Sequence, residues 1–397
     1  MKVTRVRLRQ VEGEFRHPDP FWEERLVRPT DVYPALQARG LPDAPVPLGE
    51  GRYLVRAVFL EVESDEGATG RSGPITQAEA FVIATQLRPL LLGADPTATE
   101  LLWDQMYRTL VHGRKGTPMM ALSAVDCALW DLRGRWLGVP VYRLLGGPTR
   151  ERIPAYASAL GYSLEPEAVR RRAQELVAQG YRAMKWFFRH GPHDGPEGVA
   201  RNLALARTLR ETVGDDVDLM FDCWMSWDAP YALAVGRRLA EYRPRWLEEP
   251  VLPDKVGSYV QVRRALPFPV SGGEHEYTRW GFKALLDAGA VDVLQPDIYW
   301  AGGVSEVAKV CALASAYDVP VVPHGHSVPA TVHLLAAMPP AVCPLLEYLV
   351  KWNQVHQFFL REPVQPQGGV VALPQAPGLG MELDEAKVQR ERELAWE

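Results

Sequence analysis

The chain has 397 residues, of which 47% are hydrophobic and 23% are charged, as is ordinary for a globular protein. Its net charge of −5 and the scattering of its Lys and Arg residues argue against nucleic acid as a partner. The sequence has no apolar run of about 18 residues and no apolar signal core at its start. These features argue against a membrane partner and predict a cytoplasmic protein. The four cysteines lack metal-site spacing and are predicted to be reduced and structural.

Residues 1–145 are predicted to form an α+β module. Strand patterns cover residues 3–9 and 53–63, and a helical pattern runs from about 76 to 145. Strands followed by helices are typical of an α+β unit. The Pro-rich segment 18–47 between the two strands is too long for a turn and is predicted to be a lid over the next domain.

Residues 146–350 carry short apolar runs that each end in a polar residue. Asp222, Glu248 and Glu274 end three runs at steps of 26 residues, and further runs end at Asp297, His324 and Glu347 at steps of 23, 27 and 23. Each step has room for a strand, a helix and two loops. With two earlier runs at 153–158 and 181–185, eight parallel strands are predicted.

Residues 351–397 are polar and rich in Pro and Gly, with one weak strand at 370–373. This tail is predicted to pack back on the first module rather than to extend the barrel. The predicted fold is therefore α/β: a modified (β/α)7β barrel of the TIM type, with an N-terminal α+β capping domain that the C-terminal tail completes.

Asp222, Glu248 and Glu274 are candidate metal ligands. The C-terminal ends of barrel strands meet at one mouth, so the three carboxylates are expected to converge. An all-oxygen ligand set favours Mg²⁺ over Zn²⁺. The alternative role for each of the three carboxylates is a salt bridge or a loop cap. The neighbouring Glu249 is predicted to point away from the three candidate ligands.

A base is expected beside such a metal, since abstraction of a proton next to a carboxylate places a second negative charge on that group. Asp297 and His324 are predicted to form a dyad in which the carboxylate orients the imidazole, with His326 as the weaker alternative. Glu347 is predicted to donate a hydrogen bond to the developing enediolate if burial raises its pKa. Lys185 is predicted to be either a base on the opposite face or a cationic contact to the substrate carboxylate.

These residues resemble those of the enolase superfamily, mandelate racemase subgroup. The resemblance is carried by the three carboxylates, Leu247-Glu-Glu-Pro250, Gly273-Glu274 and the His–Asp dyad, and it extends over nearly the whole chain. In particular the chain resembles the L-rhamnonate dehydratases, in segments 191–195, 221–226, 295–297 and 322–325. The resemblance implies Mg²⁺ as cofactor, a small sugar acid as substrate, loss of water from an aldonate to give a 2-keto-3-deoxy acid, and a homo-oligomer.

The resemblance also assigns roles at the second strand and in the lid. The subgroup's usual Lys-x-Lys is here Lys185-Trp186-Phe187, so the second base is replaced by Phe and His324 is left to take the α-proton and return it to the leaving hydroxyl. The lid has Pro20-Phe-Trp-Glu23 where rhamnonate dehydratases carry a substrate-binding His. The resemblance gives as candidate substrate-binding residues Arg39, Trp186, Phe188, His190 and His193.

Two alternatives to dehydration remain at this point. Another reaction of the superfamily, an epimerisation, racemisation or cycloisomerisation, is disfavoured by Phe187, because a two-base reaction needs a base on each face. A non-catalytic barrel used as a binding or scaffold protein is disfavoured by the six aligned polar strand ends, for which a scaffold has no need.

Overall fold

The computed structural model describes residues 1–18, 20–38 and 45–396. The strands in these ranges are β1 Val3–Arg16, β2 Val46–Gly49, β3 Arg52–Ser64, β4 Thr69–Ile75, β5 Arg152–Ser158, β6 Ala183–Phe187, β7 Asp218–Asp222, β8 Trp246–Glu248, β9 Val270–Gly272, β10 Val293–Leu294, β11 Leu346–Leu349, β12 Val370–Ala372 and β13 Arg390–Glu393.

The helices in the same ranges are α1 Pro34–Gln37, α2 Gln77–Val82, α3 Arg88–Leu91, α4 Thr99–Thr109, α5 Thr117–Leu137, α6 Val141–Leu144, α7 Pro166–Ala178, α8 Gly195–Val213, α9 Ala229–Leu239, α10 Val256–Ala265, α11 Thr278–Ala288, α12 Gly303–Ser315, α13 Val328–Ala337 and α14 Trp352–His356. A π-helical turn, Ile83–Leu87, joins α2 to α3. Across the described ranges, no helix combines the length and apolar character needed to cross a membrane.

The N-terminal part of the chain is an antiparallel sheet covered by helices. Strand β3 pairs with β1, β2 and β4, and β13 from the tail pairs with the outer side of β1. Helix α5 lies across β4 so closely that a Cβ on Gly70 would approach the carbonyl oxygen of Ala128 to 2.0 Å, which explains the glycine. The long apolar run of α5 is buried against this sheet and against α12 of the next domain.

The second part is a parallel barrel formed by a curled sheet. Its strands follow the order β10-β9-β8-β7-β6-β5-β11, and β11 pairs with β5 to close the ring on that side. Seven helices, α7 to α13, join successive barrel positions. The predicted fold, an α/β protein with a (β/α)7β barrel and an N-terminal α+β domain, is confirmed.

Two details of the barrel differ from the sequence prediction. The seventh of the eight predicted strands is a single parallel bridge, between Leu294 and Val321, because prolines on both sides of the Val-Val pair lack the amide hydrogen that a ladder needs. The second strand begins at Ala183 and ends at Phe187, two residues later than predicted, so Lys185 lies in its middle rather than at its end.

The C-terminal tail contacts both parts of the molecule. Strand β12 pairs antiparallel with the start of β5, at the end of the barrel opposite the carboxylates, and β13 extends the N-terminal sheet. The weak strand expected at 370–373 is thus present, but it adds to a barrel strand. The boundaries at 145 and 350 stay a prediction.

Candidate active site

Three carboxylates meet at the barrel mouth because their strands are neighbours in register. Asp222 on β7 pairs with Glu248 on β8, and Glu274 lies two residues beyond the end of β9. The three residues are 1%, 0% and 3% exposed, and one ligand oxygen from each lies within 4.8 Å of the others. The convergence expected from the repeat of 26 residues is therefore present.

The charge at this site calls for a cation. Burial raises the pKa of Asp222 to about 6, of Glu248 to about 8 and of Glu274 to about 7, and repulsion among neighbouring acids adds to the increase. Three buried carboxylate oxygens at this spacing suit a hard divalent ion, which would remove the repulsion that raises these pKa values. The residues present therefore fit Mg²⁺.

Lys185 is embedded among the acids. Its Nζ lies 3.1 Å from Asp222 Oδ2 and 2.8 Å from Glu347 Oε1, and it also donates to Glu248 Oε1. Burial lowers the pKa of the ammonium, but Glu248 and Glu347 outweigh burial and hold that pKa well above its ordinary value. An ammonium held charged in this way suits a cationic contact better than a general base.

The predicted dyad is formed. His324 Nδ1 lies 2.8 Å from Asp297 Oδ2, whose other oxygen accepts a hydrogen bond from the amide of Tyr299 at 2.7 Å. The second ring nitrogen, Nε2, faces Glu274 at 3.8 Å. Burial lowers the pKa of His324, but Glu274, Asp297 and Glu347 together raise it to about 10. A cation beside Glu274 would lower this pKa toward the range in which the imidazole is a neutral base.

The pKa of Glu347 is shifted in the direction opposite to the expectation. Burial raises its pKa as predicted, but the positive charges of Lys185, whose Nζ lies 2.8 Å from Oε1, and of His324 lower it further than burial raises it. Its net pKa lies below the ordinary value, and Oε2 accepts a hydrogen bond from the amide of Gly325 at 3.0 Å. Glu347 is thus a hydrogen-bond acceptor in this arrangement, and its role toward the developing enediolate stays a prediction.

Two of the predicted pocket residues face away from the pocket. Along β6, Lys185 and Phe187 point to the barrel interior, whereas Trp186 is 0% exposed in the layer between barrel and helices. Phe188 is also buried there, with its ring stacked 5.1 Å from that of Trp227. Phe187 instead forms an apolar cluster at the mouth with Leu26 and Leu349.

The two histidine candidates for substrate binding are not brought together with the carboxylates. His190 and His193 both contact Asp194, at 3.5 and 3.1 Å. His190 lines a separate cavity of about 300 Å³ together with Arg189 and Glu24. Arg39 lies outside the described residues. The roles of these three residues stay predictions.

One charged pair beside the metal ligands was missed. Glu249 is predicted to point away from the three ligands, but it is buried within 4.8 Å of Glu274, and its Oε2 lies 2.9 Å from His275 Nδ1. Burial lowers the pKa of His275, but Glu249 and Glu274 raise it to about 9. Glu249, Glu274 and His275 also form a second group with possible metal-ligand spacing. The only sequence signal was adjacency, since each residue follows a predicted ligand directly.

The lid segment, which we define as residues 20–28, is tied to the barrel mouth by Lys351. The Nζ of this lysine donates to the carbonyl oxygens of Phe21 at 2.7 Å and Gly161 at 3.0 Å, and to Glu23 Oε1 at 2.6 Å. The lysine side chain is 1% exposed. The predicted position of residues 20–28 over the barrel mouth thus has a structural basis in one buried cation.

We expect Lys351→Met to lower the free energy of unfolding by about 2–4 kcal/mol, because it leaves the carbonyl oxygen of Phe21 without its donor and Glu23 without its cationic partner. Denaturant unfolding measures this loss. Lys283→Met is the matched control, since Lys283 forms an exposed ion pair with Asp287 and its loss should change the free energy of unfolding little. Equal losses in the two variants would show that Lys351 does not hold the lid segment in place.

The raised pKa values predict how stability depends on pH. Above pH 7 the unfolded chain has released the protons of Glu248 and His324, whereas the folded protein retains them up to pKa values of about 8 and about 10. The folded state then binds more protons, so the stability of EDTA-treated protein should fall from pH 7 to 9, by about 1.4 kcal/mol per unit for each retained proton. Thermal unfolding with and without Mg²⁺ tests this: Mg²⁺ should stabilise more at pH 9 than at pH 7, and a rise in stability with pH without metal would contradict it.

Comparison with known proteins places these features in a family. The family model described as "Enolase C-terminal domain-like" matches residues 168–387, and that of the "Mandelate racemase / muconate lactonizing enzyme, N-terminal domain" matches residues 50–146. A parallel barrel with acids at its mouth and an antiparallel capping sheet define this class of protein. The chain belongs to the enolase superfamily, mandelate racemase subgroup, and the resemblance inferred from sequence is confirmed.

Individual relatives match over almost the whole chain. The L-rhamnonate dehydratase of Saccharopolyspora erythraea is 37% identical over 401 residues, with 97% of each chain covered. The crystal structure of rhamnonate dehydratase from Gibberella zeae complexed with Mg has a TM-score of 0.82 and 30% identity, covering 98% of this chain and 96% of that one. A racemase from Streptomyces coelicolor A3(2) with bound magnesium has a TM-score of 0.78 and 28% identity, covering 97% and 98%.

Proposed function

We propose that this chain is a Mg²⁺-dependent dehydratase of sugar acids that converts an aldonate, L-rhamnonate or a close stereochemical relative, to its 2-keto-3-deoxy acid. The observation that carries the proposal is the placement of the His324–Asp297 dyad against Glu274, with Nε2 of the imidazole turned to the carboxylate group at 3.8 Å. The rhamnonate dehydratases among the relatives support the same reaction class. Self-association, which the family resemblance implies, belongs to the proposal without a fixed number of subunits.

Asp222, Glu248 and Glu274 are the residues that would hold the metal. Bound Mg²⁺ supplies charge stabilisation for the substrate carboxylate as the α-proton leaves. Glu248 is fixed for this task by hydrogen bonds from Trp246 Nε1 at 3.0 Å and Gln295 Nε2 at 2.6 Å, both to Oε2. The charged Lys185 lies beside two of these acids and would contact the same carboxylate of the substrate.

His324 moves the proton. With Nδ1 hydrogen-bonded to Asp297, Nε2 of the neutral ring takes the proton from C2, and the electron pair of that bond forms the enediolate. When the C3–O bond breaks, the same Nε2 gives the proton to the departing hydroxyl, so that water leaves. The resulting enol then becomes the 2-keto-3-deoxy acid. Because His324 alone takes and returns the proton, water would leave from the same face of the substrate that lost the proton.

In the part of the chain that the structure describes, an apolar surface takes the place of a second base at Phe187. Phe187 occupies the position of the second lysine and is buried with Leu26 and Leu349. Lys185 Nζ lies 5.2 Å from the centre of the Phe187 ring. This apolar surface disfavours a two-base epimerisation or racemisation and favours one-face elimination.

We expect Phe187→Lys not to improve dehydration. The new ammonium would be buried next to Lys185 in an apolar cluster, which should lower the free energy of unfolding by about 1–3 kcal/mol. Steady-state rates and denaturant unfolding measure both effects, and Phe187→Leu, which keeps the cluster apolar, controls for the loss of the ring. A large gain in dehydration by the lysine variant would mean that the missing base belongs on this strand.

The proposal is tested by a screen of five- and six-carbon aldonates and aldarates with purified protein and Mg²⁺. Formation of a 2-keto acid is scored for each compound. We expect L-rhamnonate or one of its epimers to give product. Turnover of aldarates alone would change the proposed substrate class from aldonates to aldarates. Product from none of the compounds would favour the scaffold alternative.

A further inference from the structure

A second histidine lies beside the base, on the other side of the same carboxylate. The ring of His326 is nearly parallel to that of His324, at an interplanar angle of 4° and a centroid distance of 6.2 Å. The indole of Trp300 contacts both, with centroids 5.1 Å from each imidazole. A ligand held at His324 against Trp300 therefore has His326 within its length.

His326 lines a cavity of about 380 Å³ between the capping sheet and the barrel mouth. The barrel side of this cavity includes Trp300, His326, Trp352 and His356, together with Tyr299 and Val355. The opposite side comes from β3, β4 and the start of α2. The cavity is thus walled on one side by aromatic rings next to the base, as a binding site for a small polyhydroxylated chain would be.

The two nitrogens of His326 have different surroundings. Nδ1 is buried and, in the described part of the chain, has no hydrogen-bond partner, although Asp297 Oδ2 lies 3.9 Å away. That carboxylate favours the proton on Nδ1. The hydrogen bonds among the described residues leave Nε2 open, and the side chain keeps 16% of its surface exposed. Nε2 is then the lone-pair nitrogen, on the accessible edge of the ring.

The ring is also held neutral. Burial and the neighbouring His356 hold the pKa of His326 well below its ordinary value, and His324 lowers it further against the opposing effect of Asp297. The rings of His326 and His356 are in edge contact, with centroids 4.1 Å apart. A neutral imidazole with a free lone pair accepts a hydrogen bond from a hydroxyl group but cannot serve as a proton donor to a leaving group.

We propose that Nε2 of His326 accepts a hydrogen bond from a hydroxyl group of the substrate chain beyond C3, and so makes His326 a residue that selects the configuration at C4 or C5. The separation of 6.2 Å from the base spans several carbon–carbon bonds, which places the contact away from the reacting carbons. The inference rests on the proposed function, since it concerns the far end of the same sugar acid.

The test compares the best aldonate found for the wild-type protein with its 4-deoxy and 5-deoxy analogues. The measured quantity is the ratio of kcat/KM for the parent acid to that for each analogue. A site that binds a hydroxyl group rejects the analogue that lacks it, so we expect a ratio of about 10 to 100 for one of the two analogues in the wild type. His326→Phe, which keeps an aromatic ring without nitrogens, should bring that ratio to about 1, mainly through KM of the parent acid.

His112→Phe is the matched control, because it makes the same replacement at an exposed histidine that does not line this cavity and should leave the ratio at its wild-type value. His326→Gln keeps an acceptor oxygen and should give an intermediate ratio, which decides the matter if the Phe variant does not fold. An unchanged ratio in the His326 variants, or a wild-type ratio near 1 for both analogues, overturns the inference while dehydration itself stands. Failure of the wild type to dehydrate any aldonate would instead remove the proposed function, and the inference with it.

Discussion

His324→Asn is expected to lose at least about 10³-fold in kcat for dehydration, because one imidazole serves both as the base at C2 and as the acid for the leaving hydroxyl. Asparagine is close in size and keeps a polar contact to Asp297, so the barrel should fold. Mg²⁺ affinity should be retained, since His324 lies beside the carboxylate cluster and is not part of it. Single-turnover rates and calorimetric Mg²⁺ titration of the same sample measure the two properties separately.

The His326→Asn variant provides the comparison for this prediction. Both histidines lie near Asp297 Oδ2, but His324 is hydrogen-bonded at 2.8 Å whereas His326 is 3.9 Å away. We expect the His326 variant to affect KM more than kcat. Near-normal turnover by His324→Asn, or a larger loss of kcat in the His326 variant, would reverse the assignment of the base.

Glu248→Gln is expected to weaken Mg²⁺ binding by more than about 100-fold and to abolish dehydration. The affected carboxylate is 0% exposed, with Asp222 and Glu274 supplying the other oxygens of the cluster. Loss of even an outer partner of a metal ligand typically costs 10–100-fold in affinity, and loss of a direct ligand should exceed that. Calorimetric titration with Mg²⁺ measures the change.

The adjacent residue gives a matched control. Glu249 is also buried, at 1% exposure, but it pairs with His275 and belongs to the alternative group of Glu249, Glu274 and His275. Glu249→Gln should therefore weaken Mg²⁺ binding less than Glu248→Gln does. The opposite order of the two affinities would place the metal in the alternative group and reject Asp222 and Glu248 as ligands.

The sequence was sufficient for the features that depend on strand spacing. The repeat of 26 residues predicted that Asp222, Glu248 and Glu274 meet, and regular continuation of the series predicted the contact between Asp297 and His324. Both predictions follow from one property of parallel barrels, namely that all C-terminal strand ends meet at one mouth. The number of residues between two strand ends is then enough to predict that their side chains lie at the same mouth.

Features that depend on register or on long-range contacts could not be predicted in this way. Strand β6 begins and ends two residues later than predicted, and Lys185 still points to the barrel interior. Because side chains alternate along a strand, the next residue, Trp186, lies in the outer layer. The low pKa of Glu347 depends on Lys185 on β6 and on His324, which follows the bridge at Val321, and both are distant in sequence. Lys351 contacts Phe21 of the lid segment, 330 residues away in the sequence, and local sequence patterns do not predict such a contact.

The measurement that tests the central claim most directly is the formation of 2-keto-3-deoxy acid from L-rhamnonate by protein stripped with EDTA, before and after Mg²⁺ is added back. The carboxylate cluster and the adjacent dyad predict no product without metal and restored turnover with it. Product formation at the same rate in both samples would contradict a metal-dependent elimination at this site.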